Sequence, residues 1–504
     1  MIKQRVTDLI KYDDIRKWNN NDIITIKAGT GVGKSYFIKN QLYAFAKANN
    51  KKILFLIHRT NCTNQFYEEI KRDNKTDVID IITYQHIETV IKNKGVFDFT
   101  PYQYIVCDEF HYFVSDSSFN VTTDISLNKI LEQNSIKIFM SATGDDSKRY
   151  INNVKKLDTI DYEIPITYDF IKELNFFNTD ETLERFIEYL DGTGEKAIFF
   201  IQSAEKAYKL YTKFKDKCLF NCSTSNDKYY KHVDTDKIDN MLKNEKFEEQ
   251  ILITTTCMDA GINIIDEKVK HIICDVKDMG TLIQCIGRKR IQNENDGIYL
   301  YIKTITNEQL GGMETQTKKK IEKAEFLREH TVKEYVEEYP RSYDYNNIVY
   351  DEVIKDKNKC TKKINELMVF KCKMDIMDIE IMKTYEKFGY CKYLATKFGF
   401  RDDKGYYNYR VIEEEDSKSK LERHLSDMVR KRLYKEEQKE LIEMIGLKDS
   451  RQRLQKSINI INTYLIEQFA YTVISKRVKE DNKLKTVWVI SKIEYSIKNV
   501  DKAL

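Results

Sequence analysis

Along the first 145 residues, short runs of β-branched and aromatic residues alternate with stretches whose apolar positions recur at helical spacing. The runs Ile23–Ile26, Ile53–Ile57, Val78–Ile82, Tyr104–Cys107 and Ile136–Met140 are nearly continuous in apolar character rather than alternating. Such runs predict strands buried on both faces, and therefore a parallel sheet with helices on either side. Between about 145 and 180 the pattern weakens, with DDSKRYINN and Pro165, which predicts a connection between lobes. A second alternating set follows at Ala197–Ile201, Cys218–Asn221, Ile251–Thr254, His271–Cys274 and Tyr299–Ile302. From about 310 the chain is mostly charged with helical periodicity, and helices are predicted at Lys318–His330, Ile364–Tyr385 and Lys418–Glu443. The expected organisation is two α/β lobes, 1–165 and 166–310, followed by a mainly helical region, 311–504.

Near the C-terminus, Gln438–Ile445, a turn at Gly446 and Ser450–Gln468 predict two helices at a sharp angle. Ala470–Val478 and Lys485–Ile493 predict a hairpin around Lys479-Glu480-Asp481-Asn482. Helix, turn, helix and hairpin together suggest a winged-helix-like DNA-binding module within 418–504; the alternative is an accessory helical bundle with an edge hairpin. Arg430-Lys431-Arg432 and Arg451–Lys456 are interleaved with acids, so this stretch reads either as a solvated helix face or as a phosphate-contacting surface.

Composition narrows this picture only slightly. A chain of 504 residues with 41% hydrophobic content supports two to four ordinary cores. No run of about 18 apolar residues occurs, so no membrane span is expected. The N-terminal MIKQRVTDLIKYDD lacks an apolar signal core, and a cytoplasmic location is expected. Ten cysteines occur singly with no CxxC unit, which indicates neither zinc nor a disulfide framework. The net charge of +4, from 84 basic and 80 acidic residues, still allows nucleic acid to bind through a local groove. Abundant Lys, Asn, Ile and Tyr with only 3 Pro and 17 Gly fit an AT-rich coding sequence, as in a low-GC bacterium, its plasmids or its phages.

Candidate chemistry begins where the first predicted strand runs into Ala28-Gly29-Thr30-Gly31-Val32-Gly33-Lys34-Ser35 and a helix follows, with Ile38, Leu42 and Phe45 on one face. Strand, glycine loop and helix make a phosphate-binding loop: glycines let backbone N–H groups curl around phosphates, and the helix N-terminus favours negative charge. Residues 29–35 are the expected nucleotide contacts, with Lys34 reaching the β- and γ-phosphates of ATP and Ser35 ligating Mg²⁺. The strict pattern begins with Gly, whereas this chain has Ala28. The run Tyr104-Ile105-Val106-Cys107-Asp108-Glu109-Phe110-His111 ends a strand in two adjacent acids. Asp108 is the candidate to hold Mg²⁺ through its water shell, and Glu109 the candidate base for an attacking water.

Asp108-Glu109-Phe110-His111 resembles the DExH signature of superfamily 2 helicases, and further segments follow in that family's order. Leu56–Gln65 resembles motif Ia, Thr83-Tyr84-Gln85 the motif Ib region, and Ser141-Ala142-Thr143 motif III. Ala197–Ser203 stands where motif IV belongs, and Thr254–Asn263 resembles motif V. Gln284-Cys285-Ile286-Gly287-Arg288-Lys289-Arg290 resembles motif VI, but lacks the glycine before the last arginine, a form similar to that of herpesvirus-type origin-binding proteins.

The resemblance implies two tandem RecA-like lobes with ATP in the cleft between them. It places Gln284 and Arg288 at the γ-phosphate, with Arg290 as a second arginine; the alternative is that Lys289 and Arg290 form a solvated helix end. It gives Ser141 and Thr143 a coupling role between the acids and the second lobe, and His111 a similar one. Arg59, Thr60, Thr83, Ser203 and Thr255 occupy the positions that hold a sugar-phosphate backbone, although each taken alone reads as a turn or cap residue.

Three functions are compatible with these features. The first is an ATP-driven translocase or helicase on DNA, in replication or repair and with partners from those processes. The second is an RNA helicase. The third is an ATP-gated recruitment switch that binds nucleic acid without separating strands. No nuclease constellation accompanies the motifs.

Overall fold

In lobe 1, β1 (Ile23–Lys27), β2 (Lys52–Ile57), β3 (Ile79–Thr83), β4 (Tyr102–Asp108), β5 (Ile136–Ser141) and β6 (Ile160–Glu163) form one sheet in the order β3-β2-β4-β5-β1-β6. Every pairing is parallel. This computed structural model describes residues 4–29, 31–58, 60–256, 263–340, 347–354, 359–449, 453–480 and 483–493. The continuous apolar runs arise because the central strands are covered on both sides. Ile24, Ile26, Phe55, Val106 and Ile138 pack into one layer, while Leu54, Leu56, Ile105, Cys107 and Phe139 pack into the other. Each such side chain contributes about 1.5–3 kcal/mol by leaving water.

Strand β6 falls in the stretch expected to be a plain connection. It is a polar edge strand, held where Thr25 Oγ1–H donates to Asp161 (2.6 Å) and Trp18 Nε1–H to the Tyr162 hydroxyl (3.3 Å). An exposed edge needs no apolar run, so nothing in its composition marks it.

Lobe 2 repeats the plan with β7 (Ile171–Phe177), β8 (Lys196–Ile201), β9 (Cys218–Asn221), β10 (Ile251–Thr254), β11 (Val269–Asp275) and β12 (Ile298–Lys303). These strands run β7-β12-β11-β8-β10-β9, again all parallel. The expected two-lobe α/β architecture with parallel sheets is present; β7 is an addition to it.

After β12, a helix at Asn307–Glu329 opens with a Thr306/Gln309 capping box and packs against a second helix, Glu366–Thr384. Between them lies an antiparallel hairpin, Val349–Ile354 with Lys359–Ile364, in a stretch read as helical. A further helix, Gly389–Lys397, starts so close to Glu366–Thr384 that a Cβ at Gly389 would lie 2.1 Å from the Met382 carbonyl oxygen. All of this belongs with the two lobes to one unit, Met1–Tyr409.

Arg410–Leu504 is a separate unit. Its order is helix Ile412–Asp427, strand Arg432–Leu433, helices Lys435–Ile445 and Ile458–Phe469, then the hairpin Tyr471–Glu480 and Lys483–Lys492. The short strand pairs with the second hairpin strand, closing a three-stranded antiparallel sheet over Leu421, Leu425, Leu441, Ile461, Leu465 and Trp488. That order is the winged-helix arrangement. The single helix expected over Lys418–Glu443 is instead two: the first stops at Asp427 and Arg430 takes φ +63°, turning the chain into the strand that buries Leu433. Among the described residues, no helix is long and apolar enough to cross a membrane.

Candidate functional site

The loop after β1 owes its shape to glycines. Gly31 and Gly33 adopt φ of +80° and +89°, the left-handed region that side chains disfavour, and Gly33 then opens the helix beginning at Lys34. Ala28 is fully buried, so the departure from the usual first glycine is met by a small side chain inside the core. Lys34 is itself buried, and its ammonium donates to the carbonyls of Ala28 (2.9 Å) and Gly29 (3.1 Å). Val6 N–H braces the loop from the N-terminal segment by donating to Val32 O at 3.0 Å. Beyond Ser35, Phe37–Leu42 widen into a π-helical segment that buries Ile38 and Leu42. Thr30 lies outside the described residues.

Sheet order brings the other pieces to this loop. Strand β5 lies between β1 and β4, so Ser141 at its end stands between the phosphate loop and the acids, as ligand sites at the C-terminal ends of parallel strands require. Its carbonyl accepts from Ala28 N–H (3.2 Å), and its hydroxyl donates to Glu109 Oε2 (3.2 Å). Thr143 N–H donates to the same hydroxyl at 3.0 Å. Glu109 has φ +49°, a strained conformation for a residue with a Cβ, and such strain collects at functional sites. Burial alone would raise the Glu109 carboxyl. His111, Lys34 and Arg288 outweigh it and hold the group below the usual carboxylate range. Asp108 moves the other way, raised by burial and by the charge of Glu109.

Lobe 2 meets this cluster through the helix Met279–Ile286. Gln284 Nε2 lies 2.6 Å from His111 Nε2, while His111 Nδ1 lies 2.9 Å from Ser141 Oγ and 3.3 Å from Glu109 Oε2. With the Gln284 amide donating to Nε2, Nδ1 is the nitrogen left to donate towards Ser141 and Glu109. Arg288 is 5% exposed, with its Nε–H fixed on the Gln284 carbonyl (3.0 Å) and its charge acting on Glu109. Arg290 Nε–H donates to Asn263 Oδ1 (2.7 Å); burial and Arg288 pull its guanidinium down to about 10.

The solvated-helix-end alternative for Lys289 and Arg290 is contradicted. The helix ends at Ile286, and Lys289 bridges to Ile264 in an extended segment. The Lys289 side chain is 0% exposed, paired with the equally buried Asp296 at 2.6 Å. Lys289 is therefore a buried, paired residue of the lobe rather than part of a solvated helix end.

The positions expected to hold a sugar-phosphate backbone are less convergent. Thr83 caps the helix Tyr84–Lys92 by accepting from His86 N–H (3.1 Å), and Ser203 caps Ala204–Lys213 by accepting from Lys206 N–H (3.3 Å). Thr255 is 5% exposed and its N–H donates to Asn221 O at 3.2 Å. Arg59 and the side chain of Thr60 lie outside the described residues.

Sequence reasoning missed the support behind the acids. Tyr84 O–H donates to the Asp108 carbonyl (2.9 Å), and its ring stacks on Tyr112 at 4.9 Å and 7°. Buried Glu88 then accepts from Tyr112, Ser126, Asn120 and Thr122 at 2.7–3.2 Å. The helix beginning after Thr83 thus clamps the strained turn at Glu109. Gln85 also donates to His58 O (2.9 Å), which ties the ends of β2 and β3 together.

Residues 2–78, spanning the phosphate loop, match the family model described as the res subunit of type III restriction enzymes. No curated protein sequence matches the chain. Among solved structures, S. cerevisiae Dbp5 bound to RNA and ADP BeF3 is 16% identical, with 56% of this chain and 78% of that one covered and a TM-score of 0.42. Mss116p bound to ssRNA and AMP-PNP is 17% identical over 61% of this chain and 70% of its own, with a TM-score of 0.44. The Mycobacterium smegmatis helicase Lhr bound to ssDNA and AMP-PNP is 13% identical over 59% and 46%, with a TM-score of 0.41.

Proposed function

We propose that the chain is an ATP-dependent nucleic-acid translocase of the superfamily 2 helicase type, of the DExH form, acting on DNA in replication or repair. One observation carries this reading: Gln284 of lobe 2 reaches His111 of lobe 1 at 2.6 Å, beside Glu109 and with Arg288 held next to it. A nucleotide switch needs a phosphate loop; a motor also needs its two lobes to meet over the reacting phosphate. The family match over residues 2–78 supports the phosphate-loop half of the argument.

The residues fit ATP as substrate. Left-handed Gly31 and Gly33 turn the loop, and Lys34 is in place to shift from the loop carbonyls to phosphate oxygens. Glu109 takes a proton from the attacking water as the new P–O bond forms and the β–γ bridging bond breaks, giving ADP and phosphate. Arg288, with Arg290 behind it, stabilises charge on the γ-phosphoryl group in flight. Mg²⁺, held by Ser35 and by Asp108 through water, would neutralise phosphate charge. Thr83, Ser203 and Thr255, with Arg59 and Thr60, hold the strand, and the Tyr84–Tyr112–Glu88 clamp relays its presence to Glu109. An AT-rich composition fits a phage or plasmid protein working in bacterial cytoplasm.

A forked duplex assay tests this reading. The protein is expected to displace a DNA strand with ATP and to fail with a non-hydrolysable analogue. Displacement of RNA forks alone would move the substrate to RNA, and tight binding without displacement would reduce the protein to a switch.

The winged-helix unit extends the proposal, with its hairpin as the contacting element. The helix Ile458–Phe469 contains no Lys or Arg. Lys476, Arg477, Lys479 and Lys483 surround the hairpin tip, and among the described residues none of them forms an ion pair. Glu480, the nearby acid, is occupied by Arg432 (2.9 Å), Tyr434 (2.6 Å) and Lys485 (3.5 Å). The variant K476E/R477E/K479E in the full chain is expected to weaken DNA binding more than tenfold and lower the salt slope by about 2–3, one phosphate per lost cation. Anisotropy titrations across a salt series read both values. An unchanged slope would exclude the hairpin from the interface.

A further inference from the structure

The helix Glu366–Thr384 comes from the charged region after the second lobe, yet it is built into the first. Leu367 and Phe370 lie in the lobe 1 core with Ile87, Leu127 and Phe139, and the Phe370 ring meets Tyr150 edge-on at 5.2 Å. Its N-cap, Asn365, is buried and donates through Nδ2 to Ser117 O at 2.9 Å. One turn further along, Lys371 leaves this anchored helix towards lobe 2. Its ammonium lies 3.3 Å from Asp278 Oδ1 and 3.0 Å from both oxygens of Asp375, with 16% of the side chain exposed.

Asp278 is the N-cap of the helix that carries Gln284. Its other oxygen accepts from the Thr281 N–H (2.9 Å) and hydroxyl (2.8 Å), so one carboxylate both starts that helix and receives Lys371. Burial would raise the Asp278 carboxyl, but Lys371 and Thr281 hold it below the ordinary range; burial would likewise lower Lys371, and the two aspartates overcome this. Asp146 and Asp378 are the further acids facing the pair, and Arg149 is the cation nearest Asp146. Met279–Ile286 is therefore tied to lobe 1 at both ends: by Asp278–Lys371 at its start and by Gln284–His111 about 9 Å further along, six residues at 1.5 Å each.

We propose that Lys371 is a positioning residue for ATP hydrolysis, holding the start of the Gln284 helix against lobe 1 so that Arg288 is presented to the γ-phosphate. It touches neither substrate nor the reacting atoms; it acts through Asp278. The proposal rests on the reading of the cleft as an ATPase site. A separation of the two lobes by nucleotide release must break this pair or carry it along.

The test uses the full-length protein and two independent readouts. Lys371→Met is expected to lower kcat for ATP by tenfold or more while KM and the affinity for a fluorescent ADP stay within twofold. Lys371→Arg, which keeps the charge, should recover at least a third of the activity. Asp278→Asn should reproduce the loss, and the double variant K371M/D278N should be no worse than either single one. In the nucleotide-free protein, amide hydrogen exchange over 279–290 should rise at least fivefold in Lys371→Met, with strands β1 and β4 unchanged. Wild-type kcat in Lys371→Met, additive losses in the double variant, or unchanged exchange over 279–290 would each overturn the proposal. A wild-type protein without ATPase activity would sink the hydrolytic reading instead, and the exchange measurement would still judge the tie between the lobes.

Discussion

Glu109→Gln is expected to lower ATP turnover by about three orders of magnitude while ATP still binds, because a positioned general base contributes about 10²–10⁴-fold. The substitution keeps the size of the side chain and its capacity to accept from Ser141, whose hydroxyl lies 3.2 Å from Oε2. What it removes is the site for the water's proton. The group is ionised and so free to accept a proton, since His111, Lys34 and Arg288 outweigh burial. The strained φ of +49° is set by the backbone, so the amide should occupy the same place. Single-turnover phosphate release with a parallel nucleotide-binding titration separates the two effects. A near-wild-type rate would remove Glu109 from the role of base, and lost binding would show that the turn itself had collapsed.

The second large effect is expected at Arg288. An arginine facing a phosphoryl group in flight is worth about 10³–10⁵ in rate. Arg288→Ala should therefore lower kcat by about 10³-fold, with little change in the affinity for ADP, which has no γ-phosphate. Arg290→Ala should cost less, because Arg290 is engaged with Asn263 at 2.7 Å and stands behind Arg288 in the reading of the cleft. Comparing kcat with the dissociation constant for ADP in both variants checks this order. Equal losses would make the two arginines one functional unit, and a loss confined to Arg290 would exchange their roles.

The parts of this site legible in the sequence are those whose chemistry demands particular residue types side by side. Gly31 and Gly33 stand close together ahead of Lys34 and do take the left-handed turns their type allows, and Asp108 does end its strand. The buried strands were equally legible, because burial on both faces forces an uninterrupted apolar run. Strand β6 left no such mark, since its exposed face accepts any residue. Glu88 was invisible for another reason. In sequence it is one polar position of a short helix, and its four partners come from residues 112–126 of another segment. Lys371 follows the same rule: it is half-buried because Asp278, on the Gln284 helix and 93 residues away, meets it. Legibility failed wherever a polar residue's meaning depends on a partner distant in sequence.

Catalysis across the cleft, driven by engagement of a nucleic-acid strand, is the core of the account, and steady-state ATP turnover against nucleic-acid concentration measures it. With Mg²⁺ present, the wild-type protein should hydrolyse ATP slowly alone and at least tenfold faster on saturation with single-stranded DNA. Turnover that is absent, or indifferent to both DNA and RNA, would contradict it.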